Sequence, residues 1–411
     1  MNILFLTLLD FDSLAERNIY TDLLRKFYQE GHGVYVISPV ERKKHAKTRL
    51  LRTDCRLAIL KLRIGNIQKT NVIEKGITTV LLESAFISAI KRFYGDVVFD
   101  LVLYSTPPIT FQRAVSYVKQ RDRATTYLML KDIFPQNAVD IGMLAKHGVK
   151  GLLYRYFRKK EKKLYQESDY IGCMSEANVA YVRKHNPEIA PDKVEVCPNC
   201  IEPIFRTFSD KEKKSIRKKL GLPENKLLFI YGGNLGKPQG IPFLVQCLRS
   251  AASNSDVYFL IVGTGTEYDI LERFSLSEKP KNIKIMKALP KDEYEEMTYA
   301  ADVGLIFLDY RFTIPNFPSR MLTYMQAGIP VLAVTDENTD IGKVITEGGF
   351  GWWCKSNQVQ GFIKIMKTVL SADLSALGKN AFVYMMEHYT VEQVYQIISN
   401  RVIRQNVQED K

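Results

Sequence analysis

Short, almost wholly apolar runs alternate along this chain with longer segments whose apolar residues return every three or four positions. The first kind reads as strands buried on both faces and the second as helices covering them. Residues 2–9 (NILFLTLL) read as a strand. Residues 13–31 read as a helix ended by Gly31, and residues 33–38 (GVYVIS) as the next strand. Residues 97–105 (VVFDLVLYS) read as an apolar strand that stops at Thr106-Pro107-Pro108. Two more strands follow at 124–130 and 168–175. Around 198–225 the texture becomes proline-rich and charged, with no buried strand, which marks a domain boundary. The alternation then restarts, with strands at 227–232, 256–263, 282–286, 302–308 and 331–334. Two doubly wound α/β domains follow from this pattern. In such sheets ligands bind beyond the carboxyl ends of the strands, which implies a cleft between the domains.

The helix that opens at Pro318-Ser319-Arg320 carries no carboxylate in its first turn, although the positive end of a helix dipole favours one. Either Arg320 is simply solvated, or the helix start awaits a phosphate. The loop Gly232-Gly233-Asn234-Leu235-Gly236-Lys237 follows an apolar strand, with a helix expected from about Gln239. Its glycines allow a phosphate close to the backbone, and Lys237 supplies charge. The spacing is not that of a Walker A loop, and Pro238 stands where the metal-binding Ser or Thr is needed. A tight strand-to-helix turn is the plainer account. Gly263 and Gly265 repeat the design after a second strand. The ends at Gly233, Gly263 and Ser319 share one edge of one sheet and together read as a diphosphate site. No G-x-G-x-x-G follows the first strand, which argues against a dinucleotide oxidoreductase.

The chain has 411 residues, is 46% hydrophobic and 25% charged, and contains no apolar run of membrane-spanning length. The first strand lacks the basic start of a signal peptide. Six scattered cysteines fit a reducing compartment, and the C-x-x-C of Cys197 and Cys200 lacks further metal ligands nearby. The net charge of +13 is concentrated at 41–56, 146–165 and 211–221. The third cluster reads as a solvated helix face. In the second, eight basic residues, among them Arg155, Arg158, Lys159, Lys162 and Lys163, interleave with Leu152, Leu153, Tyr156 and Phe157. That mixture suits an anionic membrane surface, unless the apolar residues pack on the sheet. No nucleic-acid signature accompanies the charge, so a nucleic-acid partner is not expected.

The order YGGNLGKPQG, IVGTGTEYDIL, NIKIMKALPKDEYEEMTYAADVGLIFL and FPSRMLTYMQAGIPVLA resembles family 4 of the retaining glycosyltransferases, of GT-B fold. EGHGVYVIS, VEVCPNCIEPIF and LGKNAFVYMMEHYTVEQV are similar to the family's first turn, hinge and returning terminal segment. LKDIFPQ and PSRMLTYMQAG point towards capsule and O-antigen transferases, including those of the N-acetylfucosamine (FucNAc) type. The resemblance implies Rossmann-like domains at 1–203, completed by a terminal helix 386–411, and at 204–385. It implies a UDP-sugar donor and no metal or other cofactor. The family's Glu-x7-Glu positions hold Pro315 and Thr323 here, its loop Arg is Asn234, and its Lys is Gln239. Lys237 and Arg320 then remain as cations for the diphosphate, with Gly233, Asn234, Gly263, Gly265, Ser319 and Thr323 around the donor.

In the first domain, Lys131 and Asp132 lie at a strand end where the family often has a His-Asp or Arg-Asp pair. Asp132 is expected to orient or deprotonate the acceptor hydroxyl, or else to cap the following turn. Glu16 and Arg17 are acceptor-side candidates. In such retaining enzymes the leaving phosphate is thought to assist the acceptor, so no protein nucleophile is required. The expected activity is transfer of a sugar, such as N-acetylfucosamine, from a UDP-sugar to an undecaprenyl-diphosphate-linked saccharide in capsule or O-antigen assembly. The expected location is the cytoplasmic face of the plasma membrane. A sugar-nucleotide epimerase and a non-catalytic UDP-sugar-binding relative are the alternatives.

Overall fold

The computed structural model describes residues 1–66 and 72–409, which form two compact units. Unit one comprises the described residues up to 202 and from 391 to 409, and unit two residues 203–390. The sequence reading divides the chain at 203/204 and 385/386; the units divide one residue earlier and five residues later.

Unit one contains β1 (Asn2–Leu6), β2 (Gly33–Glu41), β3 (Arg49–Arg52), β4 (Leu57–Ile64), β5 (Leu101–Ser105), β6 (Thr125–Leu130), β7 (Tyr170–Cys173) and β8 (Val194–Val196). Their order in the sheet is β3-β4-β2-β1-β5-β6-β7-β8, and only β3 pairs antiparallel. The helices are α1 (Thr21–Gln29), α2 (Val72–Phe93), α3 (Gln112–Asp122), α4 (Gln136–Asp140), α5 (Gly148–Glu167) and α6 (Glu176–His185). Ile3 to Leu6 of β1 and Leu101 to Tyr104 of β5 are fully buried, as strands covered on both faces must be.

Unit two begins with α7 (Asp210–Lys219). It continues through β9 (Leu227–Asn234), α8 (Ile241–Ala251), β10 (Val257–Thr264), α9 (Tyr268–Glu278), β11 (Ile283–Met286) and α10 (Lys291–Tyr299). Then come β12 (Val303–Phe307), α11 (Arg320–Gln326), β13 (Val331–Thr335), α12 (Ile341–Glu347), β14 (Gly351–Lys355), α13 (Val359–Val369) and α14 (Leu374–His388). The parallel order β11-β10-β9-β12-β13-β14 reverses direction between β9 and β12, the switch point at which such sheets bind ligands. The final helix, α15 (Val391–Glu409), returns to unit one. Its Val391, Val394, Ile398 and Val402, spaced three or four apart, enter the same core as Phe5, Phe27 and Val36.

Several expectations need correction. The helix predicted over 13–31 begins only at Thr21, because the Asn18 side chain accepts hydrogen bonds from the Tyr20 and Thr21 N–H groups (2.9 and 3.0 Å) and holds a turn before it. The strands expected from residues 97 and 168 begin at Leu101 and Tyr170. The helix expected from Gln239 begins at Ile241, after a turn at 237–239. The sequence reading missed β3, β4, β8, β14, α2, α12 and α13. The basic run 41–56 includes an edge strand, β3, whose Arg49 and Arg52 keep that edge unattractive to further pairing. The cluster 211–221 is not wholly solvated. Arg217 is buried and donates to the carbonyls of Ala300 (2.8 Å) and Lys226 (3.0 Å) and to Asp302 (2.7 Å).

Asp302 also accepts the Leu228 N–H, so Arg217 ties α7 to the starts of β9 and β12. Replacing it with Met strands a carboxylate and two carbonyls. Arg217→Met is expected to lower stability by about 3 kcal/mol, measured as a lower urea midpoint.

Candidate functional site

In unit two, β9 runs into the glycine loop, and Gly233 adopts φ +126°, which side-chain-bearing residues rarely do. A Cβ built on Gly233 lies 3.4 Å from Arg320 Nη2, so the loop backbone and the guanidinium are close neighbours. Arg320 sits at the start of α11 with its guanidinium 4.4 Å from the centre of the Tyr231 ring. The Tyr294 ring packs against Gly232, where a Cβ would fall 2.0 Å from the phenol. Buried Arg320 Nη1 and Tyr294 Oη lack a hydrogen-bond partner among the described residues. No ion pair holds Arg320 among those residues either. The result is a permanent cation, partly desolvated on an aromatic face, with an open donor beside a glycine loop. A group in that state can donate to an anion.

The remaining donor candidates divide. Asn234 donates to Gln239 Oε1 (3.0 Å), which also accepts the Gly236 N–H (3.2 Å). The two positions where the resemblance leads one to expect Arg and Lys therefore bond to each other and brace the loop. Gly263 and Gly265 are needed for close packing. A Cβ on the first would meet the Gly233 carbonyl at 2.0 Å, and one on the second would meet the Leu235 backbone at 2.3 Å. Lys237 is exposed and acts electrostatically on Glu267. Burial raises the carboxyl of Glu267, and Lys237 works against that rise. Ser319 is exposed at the start of α11 and makes no side-chain cap, while Thr323 lies half-buried one turn further on. Glu267, Tyr231, Tyr294 and Gln239 were missed as site residues. A Tyr immediately before the glycine pair was the one visible signal.

In unit one, the Thr106 hydroxyl donates to the Asp132 carbonyl (3.0 Å) and accepts the N–H groups of Lys131 (3.1 Å) and Asp132 (3.2 Å), fixing the end of β6. The two side chains then diverge. Lys131 donates to the Pro198 carbonyl (3.3 Å), and burial lowers its pKa. Asp132 accepts from Asn137 Nδ2 at both oxygens, each 2.7 Å away. α4 has no side-chain cap, so Asp132 is tied to that helix through Asn137 and not as its N-cap. Glu16 serves the local turn, and Arg17 ties it to the far end of the unit's chain. Glu16 Oε1 accepts the Asp12 N–H (2.7 Å), and Arg17 donates to the Glu202 carbonyl (2.7 Å).

The basic helix is α5. Val149, Leu152, Leu153 and Tyr156 are exposed, so these residues do not pack on the sheet, whereas Phe157 lies against Phe134. Arg158 is not available to a surface. It pairs with Glu161 (2.6 Å) and donates to the His185 carbonyl (2.8 Å) and to Asn186 (2.6 Å). Lys162 pairs with Glu188 (2.9 Å). Arg155, Lys159 and Lys163 are exposed, with no ion pair among the described residues. No described helix is long and apolar enough to cross a membrane, and no group of three potential metal ligands occurs among the described residues.

Two largely parallel-sheet units of this topology constitute the GT-B fold, and the family and relatives that the chain matches make it a glycosyltransferase. Residues 212–382 match the family described as glycosyl transferases group 1. The chain is 23% identical over 316 residues to the Pseudomonas aeruginosa protein named "Probable glycosyltransferase WbjE", covering 75% of each. Anabaena HepE, solved in complex with UDP, superposes with a TM-score of 0.68 at 14% identity, covering 98% of this chain and 100% of that one. WaaG, a glycosyltransferase involved in lipopolysaccharide biosynthesis, gives 0.66 at 14% identity over 96% and 99% of the two chains.

Burial raises the Asp132 carboxyl from 3.8 to about 6, against the Asn137 hydrogen bond and the Ile133 N–H. The folded chain therefore keeps a proton that the unfolded chain loses between those values. The stability it contributes is full below pH 3.8 and is lost as pH rises through about 6. Asp132→Asn is expected to flatten that part of the stability–pH profile, measured by urea unfolding. The parent carboxyl carbon is expected to titrate near 6 by NMR.

Proposed function

We propose that this glycosyltransferase transfers a sugar from a UDP-sugar, with retention, to a lipid-linked saccharide in surface-polysaccharide assembly. The observation that carries the donor half is the Arg320 guanidinium, seated on Tyr231 beside the Gly233 backbone without a carboxylate. A leaving nucleoside diphosphate develops negative charge as the glycosidic bond breaks, and a fixed cation and fixed N–H donors lower that barrier. UDP in the HepE structure supports the choice of nucleotide. Asp132, held by Asn137, takes the acceptor's hydroxyl proton or orients that hydroxyl. An undecaprenyl-diphosphate acceptor and an N-acetylfucosamine donor are the specific forms proposed, and the role of WaaG in lipopolysaccharide biosynthesis favours a polysaccharide pathway. No metal is assigned a role.

A lipid-linked acceptor confines the reaction to a bilayer. The exposed Leu152, Leu153 and Tyr156, with Arg155, Lys159 and Lys163 on the same helix, form the proposed contact with anionic lipid at the cytoplasmic face. Each basic residue near such a surface contributes up to about 1 kcal/mol, less at high salt.

Loss of one charge-assisted hydrogen bond predicts about tenfold to hundredfold weaker UDP binding for Arg320→Met and for Lys237→Ala. Calorimetry checks this, and unchanged affinity in both variants would remove the donor site from this loop. For the membrane, the parent is expected to sediment with anionic but not neutral vesicles, and Arg155, Lys159 and Lys163 changed together to Glu to abolish it. Equal sedimentation of the triple variant would exclude α5 as the docking helix.

A further inference from the structure

A pocket of about 450 Å³ lies at the carboxyl edge of the second sheet. Sites for small molecules occupy roughly 300–1,000 Å³. Its walls come from the start of α8, from the segment after β12 (Asp309, Tyr310 and Arg311) and from the segment after β14 (Ser356 and Asn357). None of Tyr231, Gly233, Tyr294 and Arg320 lines it, so the proposed diphosphate seat is elsewhere on that edge.

Backbone bonds fix these walls. The Asp309 N–H donates to the Pro238 carbonyl (3.0 Å). Gly240, at φ +59°, lets that segment come close, since a Cβ built there lies 3.3 Å from Asp309 Cα. The Ser356 N–H donates to the Thr335 carbonyl at the end of β13 (2.9 Å). Arg311 grips Asp309 through Nε and Nη2, each 2.8 Å from a carboxylate oxygen.

Two lining side chains are left unused by this frame. Ser356 is 2% exposed, and its hydroxyl has no hydrogen-bond partner among the described residues. A buried hydroxyl in that state is costly unless a ligand satisfies it. Tyr310, held between Asp309 and Arg311, leaves a large aromatic side chain 55% exposed.

An anion fits this pocket poorly. α8 has no carboxylate in its first turn, but Pro242 has no N–H, and the N–H groups of Phe243 and Leu244 both turn back to the Gly240 carbonyl (2.9 and 3.1 Å). Arg311 is paired with Asp309, so the charges of the lining sum to zero. A phosphate would select a surplus of cations. What the lining offers is apolar faces from Pro242, Phe243 and Tyr310 beside the amides of Gln246 and Asn357 and the Ser356 hydroxyl. These polar groups both donate and accept. A wholly apolar ligand would bury them unpaired, whereas a sugar ring has an apolar C–H face and hydroxyls that donate and accept.

We infer that this pocket is a saccharide site separate from the donor site, occupied by a sugar unit of the acceptor or product chain other than the unit transferred. Tyr310 covers the C–H face of that unit, and Gln246, Asn357 and Ser356 bond its hydroxyls. The inference rests on the proposed saccharide acceptor.

The test is saturation-transfer NMR on the full chain, saturated with UDP, using the methyl glycosides of glucose, galactose and N-acetylglucosamine as probes. At least one glycoside is expected to receive saturation. Its affinity is expected to fall about tenfold in Tyr310→Ala, which removes one apolar face, and about threefold to tenfold in Gln246→Ala, which removes one neutral hydrogen bond. Both side chains are exposed, so neither change threatens the core. Replacing UDP with UDP-glucose or UDP-N-acetylglucosamine is expected to leave the glycoside bound. Absence of saturation in the parent, or undiminished binding in either variant, overturns the inference. Loss of the glycoside to the UDP-sugars also overturns it, because the pocket would then seat the transferred sugar. Calorimetry with UDP on the same samples separates the two readings. Lost UDP binding in the parent counts against the donor site, and intact UDP binding without glycoside binding counts against this pocket alone.

Discussion

A strand buried on both faces and paired in parallel cannot be followed by a hairpin; the chain must cross over a face of the sheet before it returns. That constraint fixes much of what the molecule can do. Every strand of unit two, and every strand of unit one except β3, points its carboxyl end towards the same edge of its sheet. The loops that follow these ends are the natural places for polar side chains that the core would reject. The Gly233 loop, the start of α11, the Lys131-Asp132 corner and the Asp10 segment after β1 are all loops or turns of this kind. Most of the strands are apolar and packed on both faces, and the candidate sites sit on the loops at their ends.

Charge is handled in opposite ways at two strand ends. At Arg320 a cation is left without a carboxylate, stacked on Tyr231, with a buried nitrogen unsatisfied among the described residues. At Asp10, after β1, both carboxylate oxygens are paired, one with Lys44 and one with the buried Lys61. The first arrangement leaves a donor that an anion would satisfy, and the second is already balanced. Asn234 and Gln239 show how the glycine loop keeps its conformation where the resemblance leads one to expect Arg and Lys: a side-chain amide pair spans the turn.

The alternating sheets were legible because they rest on apolar periodicity, which survives in a single sequence; the boundary near residue 203 was drawn from a change of texture, and the return of the terminal segment from the resemblance. The glycine loop and Arg320 were legible for a local reason, an unusual helix start after a glycine-rich turn. Other features were hidden because they depend on partners distant in the chain. Nothing local marks Lys61 as buried; it is the contacts with Asp10, Phe11 and Ser38 that place it there. Nor does any local signal separate Arg158, locked to Glu161 and Asn186, from Lys159 one residue later. β4 was missed because its two basic residues interrupt an otherwise apolar strand, and one of them is Lys61 itself.

The last helix gives the molecule a particular history. Val391, Val394, Ile398 and Val402 complete a core whose other members lie within the first two hundred residues. During synthesis that core therefore waits, partly open, while all of residues 203–390 are made. Unit two has its own sheet and an uninterrupted stretch of chain, so it can close first, reversing the usual order in which domains mature on the ribosome. Until then the surface that α15 covers stays open.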